Sequence, residues 1–243
     1  MQINQKSNYY IKGLRFGLPI GIGYFAVSIS IGIAAKGAGL TAFQAALSSL
    51  LLNASAGEYA AFTLMAANAG YIEVMLMEII ANLRYLLMSC ALSQKLSEDA
   101  GLLHRFIIGI DVTDELFGTS MIFHEPVSPW FFYGMMTVAM PSWCAGTALG
   151  VLLGNLLPAS VVSALSVSLY GMFLATIIPA SKRNRTVFAA VAVSMLASFL
   201  MSVIPVLNGI SSGIRTIILT VLISALAALF FPVKEDSKDS HEA

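Results

Sequence analysis

Charged side chains are scarce in this sequence. Only 11% of its 243 residues are Asp, Glu, Lys or Arg, against about 25% in soluble domains. That shortage excludes an ordinary water-facing surface over most of the chain. The 13 basic and 13 acidic residues cancel. No basic stripe marks a nucleic-acid surface, and no nucleic-acid partner is expected. Cysteine is scarce as well. Cys90 and Cys144 both fall inside apolar runs, which excludes a disulfide framework and metal-ligand spacing. Both read as small packing residues. A phosphate-binding glycine loop, a nucleophile elbow and a zinc motif are all missing. No cofactor or metal is expected, and ATP-driven transport would need another chain.

Apolar runs fill the sequence instead, at 58% hydrophobic residues. A helix needs about 20 of them to cross the hydrocarbon core. Eight segments qualify as candidates: 14–35, 41–67, 70–94, 103–122, 129–157, 160–180, 186–206 and 209–232. The run after Arg15 is longer than a signal-peptide core and reads as the first span. The expected fold is therefore all-α, a polytopic membrane bundle of 7–8 helices with broken or kinked members. Residues 1–232 form one transmembrane domain and 233–243 a charged, disordered tail. Lys182, Arg183 and Arg185 make the clearest basic loop, and Lys6, Lys12 and Arg15 mark the start. Placing both in the cytoplasm requires an even number of crossings between them. That parity requires 103–122 to span, and it puts both termini inside. Lys95, His104 and Arg105 would then lie outside, against the rule.

Some local marks bear on packing. Residues 32–41 and 150–160 resemble one another faintly, each ending one span and opening the next, and in this topology the two elements run in the same direction. Gly146, Gly150 and Gly154 repeat every four residues and suggest a close helix contact, internal or with a second subunit. Pro19, Pro141, Pro179 and Pro205 would kink or end helices. Trp130, Phe131, Phe132, Tyr133 and Trp143 read as interface-belt and packing residues. His104 and His124 read as interfacial.

Chemistry concentrates in three places. In the second candidate span, Asn53, Ser55 and Glu58 put polar atoms at mid-depth beside Ala54, Ala56 and Gly57. A membrane helix unwinds only where it lines a cavity or is buried in protein, and such breaks often carry substrate sites. The alternative is a packing face with Glu58 as a structural partner of Arg84. In the third, Asn82 and Arg84 interrupt an oily run. A cation at that depth costs about 2.5–3.5 kcal/mol and needs a partner. The Arg84 fork suits either a substrate carboxylate or a fixed bridge to Glu58, Asp111 or Asp114. In the fourth, Asp111, Asp114 and Glu115 crowd one and a half turns. On one helix Asp111 would share a face with each of the other two. They would bind an ammonium, carry a coupling proton, or sit solvated in a turn outside the membrane. An intramembrane protease needs aspartates on facing helices, and these lie on one.

These elements carry a family resemblance over nearly the whole chain. Gly17-Leu18-Pro19-Ile20-Gly21, Ala38 to Thr41, Ala54 to Tyr59, Asn82 to Met88, Thr113-Asp114-Glu115, Gly146 to Gly150 and Leu156-Leu157-Pro158 resemble the motifs of the AzlC-type branched-chain amino acid permeases, which include the BrnF-like and YgaZ-like exporters. Asn82 to Met88 is similar to that family's Asn-Leu-Arg-His-Leu-Leu-Tyr pattern, with Tyr85 where His is common. Glu58 stands where Gln is usual. The resemblance implies export of valine, leucine, isoleucine or methionine across a bacterial or archaeal inner membrane, driven by protons. It also implies a small AzlD-type partner of about four spans. On this reading Arg84 and Asn82 face a substrate carboxylate, Glu58 and Asp114 take the ammonium or the proton, and Phe62 helps shape the side-chain pocket. The alternative is a transporter or channel for another small polar solute, with Glu58 altering specificity. A passive channel and a scaffold subunit are the other classes.

Overall fold

The computed structural model describes residues 2–98, 100–123, 125–154, 184–204 and 212–231, with scattered positions between 156 and 182. Every element with regular hydrogen bonding among them is a helix, apart from one Leu96–Val127 bridge. The chain divides into two compact units, Met1–Met172 and Phe173–Ala243.

In the first unit, α1 (Gln2–Gly37) and α7 (Pro129–Leu153) form the spine. Both are apolar and long enough to cross a membrane. They lie side by side in the same direction, because Gly13 meets Phe131, Gly17 meets Met135, and Gly32 meets Thr147 and Gly150. Small residues let the two backbones touch. A Cβ added at Gly13 would sit 2.0 Å from the Phe131 carbonyl oxygen, and one at Gly150 would sit 2.2 Å from that of Ile29. Lipid gives helices no hydrophobic reason to associate, so such close backbone packing holds them together. The Gly146, Gly150 and Gly154 repeat is thus spent on an internal contact. Pro19 and Pro141 lie inside α1 and α7, which continue through them. Pro179, Pro205, His124 and the 233–243 tail lie outside the described residues.

Between the spine helices the chain makes two hairpins and one crossing. The element α2 (Ala42–Leu52) starts at the end where α1 and α7 finish. Thr41 caps it reciprocally: its hydroxyl accepts from the Gln44 amide at 3.3 Å, and Gln44 Oε1 accepts from the Thr41 amide at 2.9 Å. Thr41→Ala should lower stability by about 1 kcal/mol in a thermal melt of the purified protein. The helix stops at Asn53, which takes the left-handed conformation (φ 41°). Extended Ala54 then starts α3 (Ser55–Ala66). A four-residue turn leads to α4 (Tyr71–Lys95), which packs back along α3 with Glu78 and Asn82 against Gly57. At its far end Lys95 O accepts from Val127 N at 2.9 Å, just before α7 begins. The 25 residues of α4 rise about 37 Å, so α4 crosses the unit. Its partner α3 therefore returns to the end where α2 entered.

The next segment enters from the opposite end. His104 of α5 (Leu102–Gly109) bonds Tyr133, near the start of α7. After α5 the chain turns at Ile110–Thr113, and α6 (Asp114–Met121) runs back. Phe123, just beyond it, packs edge-on against Phe16 and Phe131 at the starting end. Each of these helices has 8 residues, about 12 Å. Residues 103–122 therefore do not cross the membrane as the parity argument required. Nor does Asp111 share a helical face with Asp114 or Glu115, because the helix is broken between them. Segment 41–67, expected as a single span, is likewise a hairpin, broken at Asn53 and Ala54.

In the second unit, α8 (Arg185–Val203) and α9 (Ser212–Phe230) pack antiparallel, with Ala189, Ala190 and Val193 facing Ile223, Leu226 and Ala227. Asn184 caps α8 through its side-chain oxygen, 2.8 Å from Thr186 N. The protein is thus an all-α membrane bundle. Among the described residues four helices are long and apolar enough to cross, namely α1, α4, α7 and α8, rather than the seven or eight expected. Segment 160–180 lies largely outside the described residues.

Candidate functional site

The tips of the two hairpins meet. Asn53 at the first break donates through Nδ2 to Asp111 at the second. Both are buried, with 5% and 1% of their surface exposed. Four helix ends converge here: the carboxyl ends of α2 and α5, and the amino ends of α3 and α6. The first two present unpaired carbonyls and the last two unpaired amides. Thr113 caps α6, its hydroxyl accepting from Leu116 N. Ala54 gives α3 no side-chain cap, so its first amides remain available to an anion.

A small cleft of about 20 Å³ opens at the tips, lined by Tyr24, Asn53, Ser55, Tyr85, Thr113, Asp114, Glu115 and Trp143. Its polar lining is organised by a few contacts. Arg84 Nη1 on α4 bridges to Asp114 at 2.8 Å, and its guanidinium lies over the Tyr85 ring, 5.0 Å from the centroid. Tyr24 of α1 donates to Glu115 at 2.6 Å. The Arg84 bridge ties α4 to α6, so it links the crossing helix to the second hairpin.

Glu58 has a different setting from the one the sequence suggested. It does not pair with Arg84. It lies fully buried behind the cleft wall, accepting from Ser49 Oγ at 2.7 Å, Trp143 Nε1 at 2.8 Å and Ala54 N at 3.4 Å. Ser49 Oγ also stands 2.8 Å from the Thr147 hydroxyl. These groups pin α2 and α3 to α7. Trp143→Phe should destabilise the protein by about 1–3 kcal/mol, since it leaves a buried carboxylate oxygen with only the long Ala54 N contact. The check is thermal unfolding of W143F beside W143F/E58Q, where the removal of the buried acid should recover part of the loss.

The structure thus brings six of the eight candidate residues to one place. Asn53, Ser55, Asp114 and Glu115 line the cleft, while Asp111 and Arg84 bond to lining residues. Glu58 stands one layer back. Asn82 is turned away, donating to Glu78 at 2.8 Å and pressing on Gly57. Phe62 is buried in α3 and does not line the cleft. Asp111 is not in a solvated turn, since it is all but enclosed. Tyr24, Tyr85, Thr113 and Trp143 complete the site. Trp143 reads from sequence as a packing or belt aromatic. Tyr24 carries no local signal at all.

Several buried polar atoms at the tips have no partner among the described residues: Asn53 Oδ1, Asp111 Oδ2 and Arg84 Nε. Buried polar groups are normally satisfied. Two bare acceptors and one bare donor therefore leave unmet hydrogen-bonding capacity of both kinds beside the cleft.

Comparison with known proteins agrees with the motifs. The model of the family described as AzlC protein matches residues 19–157. A protein of Archaeoglobus fulgidus, described as an uncharacterized membrane protein, is 34% identical over 189 residues, covering 77% of this chain and 82% of that one. No solved structure matches.

Proposed function

Because the chain belongs to the AzlC protein family, we propose that it is a secondary transporter exporting branched-chain or other small apolar amino acids, driven by an inward flow of protons. The observation that carries this reading is the meeting of two broken hairpins, entered from opposite ends, at a cleft with charges of both signs. Broken membrane helices commonly frame such sites, their amino ends toward anions and their carboxyl ends toward cations. The uncapped start of α3 and Arg84 would receive the carboxylate. Asp114 and Glu115, which sit at the start of α6 and line the cleft, are the candidates for the coupling proton. Opening the cleft toward either end would require the Arg84–Asp114 bridge to loosen, which makes that bridge a gate.

The topology behind this reading differs from the sequence-based one in detail. With both hairpins re-entrant, α1, α4 and α7 are the long crossings of the first unit, and counting 160–180 as the span expected from sequence would put four crossings between the amino terminus and Lys182–Arg185. Two crossings drop out together, so the parity is still even and both basic regions stay cytoplasmic. The host membrane is then a bacterial or archaeal inner membrane. The exposed leucines of α4, including Leu83, Leu86 and Leu87, offer a face for lipid, for a small AzlD-type subunit or for a second copy.

The test is efflux of preloaded radiolabelled valine, leucine, isoleucine and methionine from cells expressing the chain, with and without a co-expressed small subunit. Saturable loss that a protonophore stops is the expected result. No loss of any of the four, with folded protein in the membrane and the partner present, overturns the cargo. Conductance without saturation would make the protein a channel instead.

A further inference from the structure

The hairpin tips hold a pair of acceptors that no protein group uses. Asn53 Oδ1 and Asp111 Oδ2 are buried, belong to side chains that touch each other, and meet no donor among the described residues. Asn53 also lines the cleft. The guanidinium of Arg84 is committed to Asp114, so it does not serve Asp111. Two helix carboxyl ends lie against the pair, although the amino ends of α3 and α6 begin just beyond it. Asn53 is the cap at the carboxyl end of α2, and Asp111 follows the carboxyl end of α5. Both ends carry partial negative charge and spare carbonyl oxygens. A carboxyl group, an amide oxygen and two helix carboxyl ends facing one point leave a place for a single positive charge.

We propose that Asn53 and Asp111 form a monovalent-cation subsite whose occupant is the primary ammonium of the transported solute. Resting on the transporter reading, this assigns the ammonium to the join between the hairpins rather than to Glu58 or Asp114. An ammonium brings three N–H donors. Two would meet Asn53 Oδ1 and Asp111 Oδ2, and the third a spare carbonyl at a helix end. A sodium ion seeks the same oxygens, so it is the other source of that charge. In either case the occupant ties one hairpin to the other, since each hairpin supplies one acceptor. Filling the subsite would therefore lock the tips together, and emptying it would free them to part.

Trp143 lines the same cleft and is one of two tryptophans, so Trp130→Phe leaves it as the only one. The experiment titrates this otherwise intact protein in lipid nanodiscs, in choline buffer, with L-valine, isobutylammonium, isovalerate or sodium chloride. Asp111→Asn keeps the shape of the side chain. Asn53→Gly keeps the left-handed backbone while removing the oxygen. Circular dichroism and a single elution peak show that each variant is folded. Saturable fluorescence changes with valine and isobutylammonium are expected, weakened at least tenfold in D111N and several-fold in N53G, with little response to isovalerate. A saturable response to sodium alone, lost in D111N, would keep the subsite and name sodium as its occupant. Valine affinity unchanged in both folded variants, or isovalerate binding as tightly as valine, would overturn the proposal. Those results stand apart from the transport reading. Isobutylammonium or sodium binding lost in D111N holds even if no amino acid leaves the cell, and normal efflux through D111N removes the subsite alone.

Discussion

Gly150→Val is expected to yield no folded protein. Gly150 faces the backbone of α1, and a Cβ there would lie 2.2 Å from Ile29 O and 2.9 Å from Gly32 Cα. Neither obstacle is the movable end of a side chain. Overpacking an ordinary core costs about 1–3 kcal/mol because side chains shift. Here the helices themselves must separate, which breaks the seam at Gly13, Gly17, Gly32, Gly134 and Gly146 together. The penalty should exceed that range and remove most of the monodisperse protein recovered after detergent extraction. Gly150→Ala should lower the melting temperature and leave some folded material. Gly23 is the control: a Cβ there meets nothing within 4 Å, so Gly23→Ala should be neutral or slightly stabilising through helix propensity. Equal losses at Gly23 and Gly150 would show that the seam is not what holds the unit.

Arg84→Gln should cut efflux at least tenfold while the protein still inserts. Arg84 and Asp114 bridge at 2.8 Å, with side chains 40% and 34% exposed. At that exposure the pair adds little to stability by itself. Its removal still leaves an unmatched Asp114 at the mouth of the cleft. Asp114→Asn should fail in the same way, leaving the arginine without its partner. The double variant R84Q/D114N separates the roles. If the pair is only structural, neutralising both partners should restore transport along with folded yield. If the bridge is a gate and Arg84 also meets the solute, yield should recover and efflux should stay low. Radiolabel loss from preloaded cells, scaled to membrane protein, reads both quantities.

Much of this arrangement was legible in the sequence. The apolar runs mark the helices, and Asn53, Ser55 and Glu58 mark the break in the second of them. The chain breaks at the start of that stretch because Asn tolerates the left-handed conformation, while Gly57 stays helical where α4 approaches. The segment 103–122 is harder to read, because a hairpin and a crossing share the same two apolar flanks. A signal was present nonetheless. Thr113 followed by Asp114 and Glu115 is a helix start, here in the middle of a supposed helix. Pairing was not legible. The sequence offers Arg84 several acids, and only the Thr113 cap, which starts α6 beside α4, selects Asp114 over Glu58. Trp143 and Ser49 converge on Glu58 through contacts 85 and 9 residues away, and Tyr24 reaches Glu115 over 91, separations that no local pattern encodes.

The opposed hairpins also have an electrical consequence. Each reaches inward from its own side, so water following the hairpins would leave the insulating layer between the two compartments thinnest where Asn53 meets Asp111. A membrane potential falls mostly across whatever separates the two conducting sides. At 100 mV a unit charge crossing the full drop changes energy by about 2.3 kcal/mol. If water follows both hairpins to their tips, most of that drop is compressed into the few residues around the cleft. An ion or proton moving a short distance past them would then sense nearly the whole voltage, while the same displacement along the α1–α7 seam would sense almost none.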